Sequence, residues 1–292
     1  MKQKEALRGS EGFDTFYQEM YGNRWNKLKQ ALLSEGVYVK LDFSGSQSYF
    51  LDPASVCAAL CLPVSSASKV LDLCAAPGGK TLVLAGNLSE NAVLYSNERS
   101  SERKNRLTKV ISQTLPEERA KHITISCSDG ATWCRRETES YDCILLDAPC
   151  SSERHVLFDD KYLKNWSPSR TKQLAIEQWA LLSSAWRLLV KGGYLVYSTC
   201  ALSVKENDDV VSRLLKKFND VHIVSTEEIN NIFERNMTDF DGNIEKMQDF
   251  DVQSVLKSAE KTEFGLHILP DSAHGAGPIF FSVLQKINSC II

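Results

Sequence analysis

From about Lys69 onward the chain alternates short, nearly continuous apolar runs with longer amphipathic stretches. The runs Val70–Leu73, Ala92–Tyr95, Ile123–Ile125, Cys143–Leu146 and Tyr194–Tyr197 are aliphatic, aromatic or β-branched, as strands covered on both faces require. Alternation of this kind predicts an α/β domain built on one parallel sheet. Between the last two runs, Leu174, Leu181, Leu182, Ala185 and Leu189 recur at helical spacings, which predicts a crossover helix over 171–189, ended by Lys191-Gly192-Gly193. Ahead of the sheet, residues 1–45 place Phe13, Phe16, Tyr17, Tyr21, Trp25, Leu28 and Leu32 at helical intervals, so a small helical arm is expected there, with 46–292 as the main domain. The acidic, weakly periodic stretch 225–261 reads as a surface insertion. Two β-like runs follow it, Leu266–Leu269 and Ile279–Leu284, suited to an antiparallel closing edge.

Composition narrows the function. The 292 residues, 43% of them hydrophobic, suffice for one sizeable core. No apolar run has the length of a membrane span, and the opening carries Glu5, Glu11 and Asp14 with no secretory or import pattern, so the default expectation is a cytoplasmic protein without a membrane partner. Nine cysteines, an odd number scattered over a long chain, suit a reducing compartment in which single thiols are free for chemistry. A net charge of -3 gives no global attraction to phosphate, so any RNA contact needs a local basic patch.

The segment Cys74-Ala75-Ala76-Pro77-Gly78-Gly79-Lys80-Thr81 follows the first strand and opens a helix. Its small residues allow close backbone approach to a ligand, and the helix start favours an anionic group. Glu98, just past the second strand, stands where a carboxylate accepts hydrogen bonds from ribose hydroxyls, and Asp129-Gly130, past the third, could meet an adenine amino group. An Asp-Gly pair is also an ordinary turn. Arg103 could touch the cofactor, support the loop, or be one exposed member of a basic helix with Arg99, Lys104, Arg106 and Lys109. The dinucleotide fingerprint is absent. A phosphate loop is nearly matched by residues 74–81, but Cys74 replaces its first glycine and Pro77 removes an amide donor, so S-adenosylmethionine fits better than ATP.

Asp147-Ala148-Pro149-Cys150 and Ser198-Thr199-Cys200 each end a strand run, where open α/β sheets hold their ligands. If the strands are neighbours, about 4.8 Å apart, both thiols and Asp147 face one opening. Cys57, Cys61, Cys127 and Cys143 read instead as small buried hydrophobes. Two thiols and an acid beside a methyl donor suit methylation of cytosine carbon 5, which becomes nucleophilic once a thiolate adds to carbon 6. Asp147 could polarise the ring if burial keeps it protonated, and the second thiol could assist release. The loop after Cys150 mixes Arg154, His155, Lys161, Lys164, Trp166, Arg170 and Lys172, either to grip RNA or as a solvated connection with Trp166 packed on the sheet.

In the order LDLCAAPGGKT (71–81), LLDAPCSS (145–152) and YSTCALSVKEN (197–207), these motifs resemble the Sun and Nop type of RNA cytosine-5 methyltransferases. The likeness covers about residues 46–220, and GPIFF at 277–281 is similar to the family's closing strand; the arm together with that ending looks most like the short, mitochondrial-type members. The resemblance implies a seven-stranded class I methyltransferase fold and 5-methylcytosine formation in small-subunit ribosomal RNA or in transfer RNA. It implies Cys200 as nucleophile, Cys150 as the cysteine that releases product, and cofactor contacts from Cys74 through Lys80, Glu98, Arg103, Asp129, Gly130 and Asp147. Glu98 stands where the family usually has Asp. No appended RNA-binding domain is seen, which implies that a protein partner or a ribosomal particle supplies specificity. A binding module without catalysis is the alternative from another class, with mitochondria as the alternative address.

Overall fold

A computed structural model of the chain describes residues 7–44 and 47–288. The boundary expected at 45/46 and Glu5 lie outside the described residues. Twelve strands are described, and nine of them form one sheet. Its parallel centre consists of β3 (Lys69–Asp72), β4 (Val93–Asn97), β5 (Ile123–Ser126), β6 (Tyr141–Asp147) and β7 (Leu189–Thr199) in the order β5-β4-β3-β6-β7. β12 (Ile279–Lys286) runs antiparallel to β7, and β11 (Leu266–Ile268) lies outside β12, completing the seven-stranded path. Short β10 (Glu260–Lys261) and β8 (Val221–Ile223) extend it by pairing with β11 and β12. Strand order reverses between β3 and β6, so a ligand crevice opens beyond the carboxyl ends of the strands there.

Helices cover both faces. On one side lie α9 (Pro168–Leu188) and α10 (Asp208–Lys217), which bury Leu181, Leu182, Ala185, Trp186, Val211 and Leu214 against Ile144, Leu146 and Leu195. Each large side chain so buried contributes roughly 1.5–3 kcal/mol. On the other side lie α3 (Pro53–Leu60) and α4 (Gly79–Gly86), while α5 (Ser101–Thr114) and α6 (Glu117–Ala120) flank β4 and β5. The glycines expected to end α9 fall inside β7 instead: the helix stops at Leu188 and the strand starts at Leu189. Gly193 lets β7 approach β6, since a Cβ there would stand 2.7 Å from the Asp142 carbonyl oxygen. The register slips between Tyr141 and Cys143 on β6, opposite this stretch.

The stretch 225–261 is not a loose surface insertion. Every residue of α3 is buried, so its outer side needs a cover. α11 (Thr226–Thr238) supplies Ile229, Ile232 and Phe233, and α12 (Val252–Lys257) supplies Val252, Val255 and Leu256. Asn236 donates to the carbonyls of Leu60 and Leu62 at 2.7 and 2.9 Å, satisfying groups that the end of α3 leaves unpaired. Between the two helices, β9 (Asn243–Lys246) joins β1 (Val39–Asp42) and β2 (Tyr49–Leu51) in a three-stranded antiparallel sheet. Apolar residues at helical spacing were present in this acidic segment, but charge masked them.

The arm forms α1 (Gly9–Tyr21) and α2 (Trp25–Leu33). Phe13, Tyr17, Trp25, Leu28 and Leu32 pack on Val156, Trp166, Leu202 and Leu269. Trp166 is thus buried against the arm rather than on the sheet or free to stack on a base. Arg24 holds the arm to the carboxyl-terminal part of the chain by ion pairs to Glu260 and Asp271, which raise its pKa. The contacts with Val156 of α7 (Glu153–Leu157), with Trp166 just past α8 (Asp160–Lys164) and with Leu202 seat the arm against the segments that follow the two strand-end thiols.

Candidate active site

Two pockets open at the carboxyl end of the sheet. The first is lined by Cys74, Glu98, Arg103, Asp129 and Gly130, together with Leu73, Asn97, Pro149 and Leu181. Asn97 orders these strand ends. Its side chain donates to the carbonyls of Leu73 and Ser128 at 3.0 Å each and accepts from the Ser128 amide at 3.0 Å. Glu98 is buried, and its Oε1 accepts from the Ser100 amide at 2.9 Å. Its Oε2 has no hydrogen-bond partner, with only the Arg103 guanidinium 3.3 Å away. An unsatisfied buried carboxylate oxygen facing a pocket is what a ribose diol would complete. Asp129 is exposed and caps its own turn through the Ala131 amide at 3.0 Å. Arg103 donates to the Ala76 carbonyl at 2.6 Å, so it braces the loop as well as facing the pocket. Ala75, Ala76, Gly78 and Gly79 are buried, Pro77 is exposed, and Gly78 stands just ahead of α4 at a φ of 123° that a side chain would strain.

Lys80 reaches beyond the glycine loop to Asp147, another member of the expected cofactor set. Its ammonium sits 2.8 Å from Asp147 Oδ2 and 3.2 Å from Ser55 Oγ, on the side of the thiols. Burial opposes its charge, but the Asp147 carboxylate and then Cys200 outweigh it and hold its pKa above the usual lysine value. Asp147 also accepts from Ser198 Oγ at 2.8 Å. Lys80 and Ser198 thus both donate to the Asp147 carboxyl group. A lysine held this way is also not free to reach phosphates as a phosphate-loop lysine does.

The second pocket, of about 620 Å³, is lined by Cys200, Ser152, Arg154, His155, Phe158, Tyr38, Asp52 and Ser55. β6 and β7 are hydrogen-bonded neighbours, with Asp147 opposite Ser198, so the loops leaving them bring the two free thiols together. The sulfurs of Cys150 and Cys200 are 2.7 Å apart, and the Cys200 amide points at Cys150 Sγ at 3.3 Å. Ser152 adopts a left-handed backbone (φ 54°), uncommon for a residue with a side chain, and so sets its Oγ 3.1 Å from Cys200 Sγ. The hydrogen bond to Cys200, and after it burial, pushes the Cys150 thiol well up. Cys200 is left facing the cavity.

Three further side chains, not singled out in the sequence, support the thiol loops. Glu153 and Glu206 are fully buried beneath them, and Tyr17 of the arm donates to Glu153. Among the other cysteines, Cys57, Cys61 and Cys143 are buried, but Cys127 is exposed, against expectation. In the loop after Cys150, Arg154 is spent on the chain itself, donating to the carbonyls of Leu32, Gly275 and Gly277. His155, Lys161, Lys164, Arg170 and Lys172 are exposed. Among the described residues no cluster of metal-binding side chains occurs, and no helix is long and apolar enough to cross a membrane.

Residues 59–284, which hold both thiols and both pockets' strand ends, match the model of the 16S rRNA methyltransferase RsmB/F family. The chain belongs to this family. Similarity to RsmB/F-type relatives runs along most of its length. It is 34% identical over 251 residues to the 5-cytosine rRNA methyltransferase NSUN4 of Xenopus laevis, covering 82% of this chain and 56% of that protein. It is 38% identical over 165 residues to the ribosomal RNA small subunit methyltransferase F of Erwinia tasmaniensis, covering 56% of this chain and 33% of that protein. The chain thus spans a third to somewhat over half of these curated relatives. In fold it is similar to a methyltransferase homolog protein from Pyrococcus horikoshii, at a TM-score of 0.69 and 21% identity, covering 96% of both chains. It is also similar to NSun6 of Pyrococcus horikoshii, solved with SFG, at a TM-score of 0.61 and 21% identity, covering 82% of this chain and 53% of that one. The fold is therefore that of the class I methyltransferases.

Proposed function

We propose that this chain transfers a methyl group from S-adenosylmethionine to carbon 5 of a cytosine in small-subunit ribosomal RNA, with Cys200 as covalent nucleophile. The observation that carries this reading is the pair of free sulfurs, 2.7 Å apart at adjacent strand ends, of which Cys200 lies on the wall of a cavity large enough for a pyrimidine. The orphaned Glu98 oxygen and the Asp129 turn fit the ribose and adenine ends of the cofactor. When bound, that cofactor supplies an electrophilic methyl group.

The protein's own residues do the rest. An unstacked cytosine enters the cavity, and the Cys200 sulfur bonds to its carbon 6. Electron density moves into the ring, where the Lys80 ammonium beside Asp147 stabilises it. Carbon 5 takes the methyl group, its proton passes to solvent water, and the electron pair of that C–H bond expels the Cys200 sulfur. Cys150, whose sulfur lies 2.7 Å from that of Cys200, assists its departure.

With Arg154 and Trp166 committed internally and a net charge of -3, RNA contact by the loop after Cys150 falls to the exposed His155, Lys161, Lys164, Arg170 and Lys172. That supports a protein partner or a preassembled ribosomal particle as the source of affinity. The eight described cysteines are all free, which supports a reducing compartment, cytoplasmic or mitochondrial. Incubation with tritiated S-adenosylmethionine and small-subunit RNA tests the reading: label is expected on cytosine carbon 5, and label confined to other bases or positions defeats it.

A further inference from the structure

Glu153 and Glu206 have no part in the reaction above, yet both are fully buried directly beneath it. Glu153 follows Cys150 in the chain, but its Oε2 accepts from the Leu202 amide at 3.0 Å, two residues past Cys200. Glu206 follows Cys200, but its Oε2 accepts from the Ser151 amide at 2.9 Å, one residue past Cys150. The contacts are crossed: each thiol loop is held by a carboxylate from the other. The outer members extend the arrangement. Gln178 of α9 donates to Glu206 Oε2 at 3.0 Å and to the Pro149 carbonyl at 2.8 Å, and Tyr17 of α1 and Ser151 Oγ donate to Glu153 Oε1.

We infer that Glu153 and Glu206 are positioning residues for the two thiols, Glu206 holding Cys150 for product release and Glu153 holding Cys200 for attack. Mere packing does not require this pair. Buried carboxylates are costly without cations, and among the described residues neither joins an ion pair. Burial raises both carboxyls, and the charge of Glu153 adds to it at Glu206. Glu206 Oε1 is left with no partner. An apolar pair would fill the space at lower cost, but it could not accept the two amides that orient the sulfurs.

The inference rests on the reading that Cys200 attacks and Cys150 releases, and one gel experiment separates the two. Wild type, Cys150→Ala, Glu206→Met and Glu153→Met are incubated with S-adenosylmethionine and cytosine-containing RNA, and denaturation-resistant adduct is measured beside turnover. Cys150→Ala should accumulate adduct; its failure to do so defeats the reading beneath the inference. Given that control, Glu206→Met should raise adduct above wild type by about ten-fold while turnover falls, as release stalls. Glu153→Met should lower adduct and turnover together, as attack stalls, with the KM for RNA unchanged in both. The Gln variants keep an acceptor oxygen and should recover turnover to within about three-fold of wild type. Parallel loss of adduct in both Met variants, or effects following sequence neighbours instead of the crossed contacts, overturns the inference. If a Met variant loses S-adenosylmethionine binding, Gln178→Met and Tyr17→Phe replace the pair. They should show the same opposite signs at smaller size, and equal signs overturn the inference.

Discussion

The two halves of the crevice are built in opposite ways. Around β3, β4 and β5 the pocket wall is made by two short-range devices, the Asp129 turn and the Ser100 amide on Glu98, and by the Asn97 bridge between neighbouring strand ends. Around β6 and β7, the thiols rest on side chains drawn from distant parts of the chain. Lys80 meets Asp147, Glu206 meets Ser151, and Tyr17 of the arm meets Glu153. The first half binds with locally organised backbone and one spare oxygen. The second half stores charge in a buried setting, where removing a single group leaves its partners unsatisfied. The difference teaches that binding and chemistry should respond differently to substitution.

The largest effect is expected at the nucleophile. Cys200→Ala should lower turnover by about 10⁴-fold or more while the cofactor still raises the melting temperature. Turnover surviving near wild type would move the chemistry elsewhere. Lys80→Met should cost roughly 10²–10³-fold in kcat with a smaller change in cofactor affinity. A predominant loss of S-adenosylmethionine binding, read by calorimetry, would return Lys80 to the cofactor half.

A stability measurement examines the buried charge directly. Glu206 is pushed up to about 7, from an ordinary value of 4.5, by burial and then by the charge of Glu153. Its other titratable neighbours are Tyr17, Tyr197 and Cys150. Between those two values the folded chain holds a proton that the unfolded chain has released, so this group's contribution falls as pH rises through the window. At most about 3 kcal/mol is at stake. Urea unfolding of Glu206→Gln should therefore gain on wild type between pH 5 and pH 7.5. A constant difference across that range would mean that Glu206 is not held protonated.

In the binding half the expected effect is smaller and of another kind. Glu98→Ala should weaken S-adenosylmethionine by about 1.5–3 kcal/mol, roughly 10- to 150-fold in Kd, with kcat recovered at saturating cofactor. A fall in kcat at saturation would erase the contrast between the halves.

The same contrast explains what could be read from sequence. The five parallel strands and α9 announced themselves through apolar runs and helical spacing, because both are local patterns. Glu98, Asp129, Cys150 and Cys200 could be singled out because each stands just past a strand. Glu153 and Glu206 could not, since the crossed contacts join residues 49 and 55 apart in sequence. Glu206 did lie within YSTCALSVKEN, yet nothing local distinguishes an acid turned inward from a solvated one. Lys80 reads as a cofactor contact because it sits in the glycine loop, and the loop alone does not reveal that its long side chain reaches Asp147 at the neighbouring strand end. The segment 225–261 was misjudged because its charge hid the apolar face that covers α3.

The identity of the attacking atom is the central claim, and mass spectrometry reads it directly. Cys150→Ala should be incubated with S-adenosylmethionine and RNA, digested with nuclease and protease, and its peptides weighed. The peptide containing Cys200 is expected to carry a methylated cytidine nucleotide. A modified peptide that lacks Cys200, or product RNA formed by the Cys200→Ala protein, would contradict the account.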